Sequence, residues 1–309
     1  MPLVVGTSGC ALLPTLRPTE VLPPNLPQSA EITSVPFFAQ EQYQCGPAAL
    51  AMVMNFAGAA RTPQQLTDEV YVPQRQGSLQ AEMLAATRRA GLIAYLLSPS
   101  LQPLLTEVAG GHPVVVLQNQ LFDLLPRWHY AVVVGFDWSS GAVILRSGTQ
   151  ERLVQTLREF ERSWAKAGNW AFVALPPGQL PATAEEDPFV LAAASLERTT
   201  PQAAREAYAA ALARWPHNLV ARIALGNIAY NSSRLTEAES QYREATVEHP
   251  DSADAWNNLA QTLHELGRDP EALMCAEQAI SIGGPRQQSY RATLQSIRSS
   301  ATARQDATK

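Results

Sequence analysis

The stretch QYQCGPAAL, residues 42–50, sets a cysteine directly before a Gly-Pro pair and an apolar run that reads as helix. A thiol at a helix N-terminus faces unpaired backbone N–H groups and the positive end of the helix dipole, both of which favour its thiolate. A thiolate nucleophile also needs an imidazole to exchange its proton with, and the chain has five histidines. His217, His249 and His264 fall in the C-terminal third, where the first two sit at turns and read as solvated. His112 lies in the tight turn GGHP, whereas His129 opens the run HYAVVVGF. A strand starting there carries the imidazole to the end of a sheet, where a helix N-terminus can face it. Cys45 and His129 are therefore the expected nucleophile and base.

Composition restricts the alternatives. The 309 residues, 46% hydrophobic and 17% charged, can bury a real core and are expected to form two domains. A net charge of -5 argues against a nucleic-acid surface, which needs clustered Lys and Arg. No apolar run approaches the roughly 18 residues of a membrane span. Cys10, Cys45 and Cys275 are too scattered for a disulfide framework. Without a CxxC or HxxxH spacing, no metal or other cofactor is expected.

The elements that must position Cys45 and His129 lie between about residues 32 and 178. Residues 48–58 read as a helix, and Thr62 before Pro63 caps a second over 63–71. Gly77 and Ser78 open a third that ends before Gly91. LIAYLL is a short strand, 101–109 a short helix and PVVVLQ a buried strand. HYAVVVGFDWSSGAVILRSG reads as a hairpin turning at 139–141, and WAFVALPP as a last strand. Helices first and antiparallel strands after them give an α+β domain.

Beyond a linker at 179–187 the chain repeats at a period of 34. Leu191, Leu225 and Leu259 coincide, as do Ala192, Gly226 and Ala260, then Ala204, Ala238 and Ala272, and finally Pro216, Pro250 and Gly284. This is the tetratricopeptide (TPR) pattern: small residues where two antiparallel helices cross, larger apolar ones between units, and a helix breaker before the next. The all-α TPR solenoid is expected over 188–300, closed by a polar helix at about 287–300 and followed by a disordered tail at 301–309. Such arrays bind proteins along their concave face, so a protein partner is expected there.

The segments VPFFAQEQYQCGPAALAMVMNFAG, GGHPVVVLQ and WHYAVVVGFD, spread over about residues 33–175, resemble the C39-type cysteine peptidases. These are relatives of papain that in bacteria remove double-glycine leaders from bacteriocin precursors. The resemblance implies a papain-like fold, Cys45 as nucleophile, His129 as general base and Gln40 as oxyanion-hole donor beside the Cys45 N–H. Gln42 and Gln44, in the same stretch, are the alternatives to Gln40 for that role. Where the family carries an Asp on the next strand to orient the histidine, this chain reads LRSG. Asp137 lies on the same strand as His129 at roughly 26 Å, too far to replace it. Arg146 can only donate; Ser147 and Asn119 are the candidates for the third position, and a Cys–His dyad is the alternative.

The expected function is that of a cysteine peptidase acting on a peptide or protein substrate through a Cys45 thioester, with the repeats recruiting substrate or partner. The alternative is an inactive C39-like peptide-binding module on a TPR scaffold; a third class is an acyltransferase using the same pair. Residues 1–31, with small residues before Cys10 and a Pro-rich stretch after it, read as a lipoprotein leader and tether. Localisation at a bacterial cell envelope through lipid on Cys10 is expected, with the cytoplasm as the alternative. No other membrane contact and no nucleic acid is expected.

Overall fold

A computed structural model describes residues 24–39, 44–121 and 126–307, the last seven by backbone alone. Strand β1 (Ser29–Glu31) precedes helix α1 (Cys45–Phe56), which is buried without interruption from Gly46 to Met54. A helix apolar on every side belongs inside a core, which explains the unbroken run of Ala, Leu, Met and Val. Helix α2 (Pro63–Val70) begins at a capping box in which the Gln65 N–H donates to Thr62 Oγ1 and the Thr62 N–H to Gln65 Oε1.

Strands β2 (Tyr71–Val72) and β3 (Gly77–Ser78) then pair antiparallel. The third helix, expected to open at Gly77, is α3 (Gln80–Arg89) and starts later because Gly77 and Ser78 are taken up by that pairing. Strand β4 (Ile93–Leu96), helix α4 (Leu101–Ala109) and strands β5 (Val114–Asn119), β6 (Trp128–Asp137) and β7 (Ala142–Ser147) follow, close to their expected bounds. Strand β8 (Gln150–Thr156) and helix α5 (Leu157–Ala165), which are not among the expected elements, come before β9 (Ala171–Leu175). The sheet runs β4-β9-β5-β6-β7-β8, with β1 added against β6. The pairings of β5, β6, β7 and β8 with their neighbours are antiparallel. All of β5 is buried, as is β6 from Tyr130 to Phe136, where helices α1, α4 and α5 pack on these central strands. At Gly135 a β-carbon would come within 2.7 Å of the Ala30 carbonyl oxygen, so glycine is what lets β1 lie on β6.

The remaining elements are helices α6 (Glu186–Ala194), α7 (Pro201–Arg214), α8 (Leu219–Asn231), α9 (Leu235–Glu248), α10 (Ala253–Glu265), α11 (Asp269–Ile282) and α12 (Gln287–Ala307). Ala204, Ala238 and Ala272 are fully buried, and so are Ala211, Ala245 and Ala279, at the crossings that the 34-residue period marks. Two compact units result. The first takes the described residues up to Phe56 together with Ala60–Leu79 and Leu96–Val173, and the second Ala57–Ala59, Gln80–Tyr95 and the chain from Ala174 onward. Within the second, the Tyr95 hydroxyl donates to the Thr183 carbonyl at 3.3 Å and accepts from the Glu185 N–H at 3.1 Å. Among the described residues no helix is long and apolar enough to cross a membrane.

Candidate active site

Helix α1 carries Cys45 as its first residue, and the sulfur lies within hydrogen-bond reach of the backbone N–H groups of Cys45, Gly46 and Tyr130. Those donors favour the thiolate. Burial acts the other way and is the larger effect, so the thiol is pushed above its ordinary range. The helix end alone would lower the thiol, but the sheet packed against α1 strips water from the sulfur and outweighs it.

Strand β6 supplies His129 as its second residue, directly across from Gln118 of β5. His129 Nε2 and Ser147 Oγ, at the end of β7, share a hydrogen bond of 2.8 Å. Burial, and secondarily the positive charge of Arg127, hold the imidazole down at about 4. At neutral pH the site therefore holds a neutral thiol and a neutral imidazole. With Nε2 engaged by Ser147, Nδ1 is the nitrogen left to exchange a proton.

Tyr130 links the two halves of the site. Its N–H reaches the Cys45 sulfur, its hydroxyl donates to the Ser78 carbonyl of β3 at 3.1 Å, and its ring meets Trp170 edge-on with centroids 5.8 Å apart. The start of β6 is thereby fixed to the β2–β3 hairpin as well as to α1. Behind His129, Gln118 Nε2 donates to Ser163 Oγ of α5 at 2.8 Å.

Asn119, the other candidate for the third position, is committed elsewhere. Its Oδ1 accepts from the N–H groups of Leu121 at 3.2 Å and Arg127 at 3.0 Å, which closes the connection between β5 and β6. Asp137 accepts from Ser139 and Ser140 in the β6–β7 turn. The geometry thus brings Ser147, and neither Asn119 nor Asp137, to the imidazole. Gln40 and Cys10 lie outside the described residues.

Several residues of the site escape sequence reasoning. Arg146, beside Ser147 and only 4% exposed, donates through its guanidinium to the carbonyls of Thr33, Val35 and Glu151, while its Nε is buried without a partner. It ties β7 to the segment that leads toward Cys45. The sequence signals only that a charged residue interrupts an apolar strand. Toward Cys45, Tyr130 acts through its main chain, on which a residue type carries no information. His112, read as a turn residue, shares a 2.6 Å contact with the fully buried Glu107 carboxylate and so fixes the end of α4. Among the described residues no group of His, Cys, Asp and Glu could hold a metal ion.

The sequence profile of the Peptidase_C39 like family matches residues 32–172, and that of the tetratricopeptide repeat matches residues 189–246 and 223–285. No curated protein matches the chain. Among solved structures, a C39-like peptidase from Bacillus anthracis is 18% identical, covering 48% of this chain and 97% of its own, with a TM-score of 0.41. A double glycine motif protease from an AMS/PCAT transporter, solved with its leader peptide, is 23% identical over 47% of this chain and 93% of its own, TM-score 0.38. The peptidase domain of Streptococcus ComA, a bi-functional ABC transporter of a quorum sensing pathway, is 17% identical over 45% of this chain and 96% of its own, TM-score 0.37.

Proposed function

We propose that this chain, which carries a C39-like peptidase domain at residues 32–172 ahead of tetratricopeptide repeats at 189–285, is a cysteine peptidase whose nucleophile is Cys45. The observation that carries the reading is a double meeting at the start of β6. The Cys45 sulfur sits against the Tyr130 N–H, and the adjacent His129 is held from behind by Ser147 at 2.8 Å.

His129 Nε2–H donates to Ser147 Oγ, which leaves Nδ1 as the base. The thiol proton passes to Nδ1 as the sulfur attacks the scissile carbonyl carbon, forming the S–C bond. Collapse of the tetrahedral intermediate breaks the C–N bond, and the imidazolium returns its proton to the leaving amine. Water, deprotonated by the same Nδ1, then attacks the thioester carbonyl; the C–S bond breaks, the acid leaves, and the Nδ1 proton returns to the sulfur. Gln40 and the Cys45 N–H steady the oxyanion. Because Ser147 is neutral where a carboxylate would carry charge, the imidazolium is formed only during the reaction and is not stored beforehand.

The repeats recruit the protein to be cut or a partner that delivers it. Cys10 is read as the point of lipid attachment at a bacterial envelope, and Cys10→Ser should then release the protein from the membrane fraction. Peptide cleavage by the full chain tests the central reading. Turnover lost in Cys45→Ala and reduced at least a hundredfold in His129→Ala is expected; turnover that survives Cys45→Ala would refute it.

A further inference from the structure

We infer that Arg127 forms an acid-selecting subsite beside the candidate nucleophile, so that the peptide reaching Cys45 carries an Asp or Glu side chain next to the imidazole. The inference rests on the peptidase reading and names its substrate class. Side chains alternate along an extended strand, so Arg127 and His129 leave β6 and its lead-in on the same face, roughly 7 Å apart along the chain. The backbone of Arg127 is held at both ends: its N–H donates to Asn119 Oδ1 at 3.0 Å and its carbonyl accepts from the Gln120 N–H at 3.0 Å. Its side chain is exposed, and among the described residues no carboxylate pairs with it. Ser147, hydrogen-bonded to His129, and Gln118, paired across from it and bonded in turn to Gln155 and Ser163, are all neutral.

A guanidinium on a fixed backbone, with no carboxylate on it among the described residues, is a receptor for a carboxylate, the group whose geometry a guanidinium matches. The same charge opposes protonation of His129 in the free protein, acting after burial. That is a liability for a general base unless something covers the guanidinium during turnover. A substrate carboxylate on Arg127 does so as the imidazole takes the thiol proton, and therefore favours both binding and the chemical step.

The test uses the full chain and a positional library of acetylated peptide amides in which each position in turn is Glu, Gln or Lys. Cleavage is read with the unaltered protein and binding with Cys45→Ala. One position should prefer Glu over Gln by about fivefold, the size of one exposed ion pair. Arg127→Gln should abolish that preference and Arg127→Glu should turn it toward Lys. Selective binding that depends on Arg127, without any Cys45-dependent cleavage, would uphold the subsite while refuting the peptidase reading. Cleavage or binding with no Glu preference, or a preference unchanged in Arg127→Glu, would overturn the subsite.

Discussion

A histidine backed by a serine behaves differently from one backed by a carboxylate, and that difference sets how the candidate pair responds to pH. With the Cys45 thiol pushed up and the His129 imidazole held at about 4, the labelling rate of Cys45 by iodoacetamide should climb through the alkaline range, without the acid plateau of a preformed ion pair. Ser147→Asp places an anion on Nε2 and raises the imidazole, so labelling at pH 6 should rise about tenfold. An unchanged rate would mean that Ser147 does not govern His129. The low imidazole also bears on stability. A histidine depressed from 6.5 to about 4 contributes in full above pH 6.5 and loses that contribution as the pH falls toward 4, because only the unfolded chain takes up the proton in that interval. The loss amounts to about 3 kcal/mol at most. Denaturation curves of His129→Gln should lack this part of the acid sensitivity. Residue type and spacing single out Cys45 and His129 as candidates. They do not give the direction of the thiol shift, because burial at a helix end depends on what closes over it.

At the scale of elements, helices with caps and strands with apolar runs could be read directly, as the Thr62–Gln65 capping box and the valines of β5 and β6 illustrate. Strand β8 escaped because it is largely exposed and its apolar residues are few. Helix α5 is announced by the Thr156–Glu159 capping box and by the i, i+3, i+7 spacing of Leu157, Phe160 and Trp164, on so short a stretch between strands that neither signal stands out. The 34-residue register foretold where small residues must lie, and Gly226 shows why: a β-carbon there would fall 2.4 Å from the Tyr242 ring. Gly226→Ala should therefore destabilise the second unit by about 1–3 kcal/mol through overpacking, leaving Cys45 labelling unaffected. Arg146 was legible only as a donor. Since it satisfies three carbonyls, Arg146→Leu should cost about 3 kcal/mol of stability and slow turnover more than Arg146→Lys, which keeps the charge. Equal thermal midpoints for the leucine variant and the unaltered protein would contradict this clamp.

For the molecule as a whole, one expectation concerns the reach of the helical repeats. Residues 80–95 group with the chain beyond Ala174, and Tyr95 hydrogen-bonds to Thr183 and Glu185, inside the segment expected to be a linker. A chain cut after Leu180 should therefore expose 80–95 to protease and melt several degrees lower; protection and melting like those of the intact chain would show that the cut removes nothing this segment needs. The linker reading followed from its Pro and Ala content, which does not reveal a tyrosine nearly 90 residues earlier. The central claim, that Cys45 attacks while His129 takes its proton, is tested most directly by intact mass after mixing the full chain with a peptidyl p-nitrophenyl ester. The account predicts a single acyl group added on Cys45, formed at least a hundredfold more slowly in His129→Ala. Acylation on another residue, or on Cys45 at an unchanged rate without His129, would contradict it.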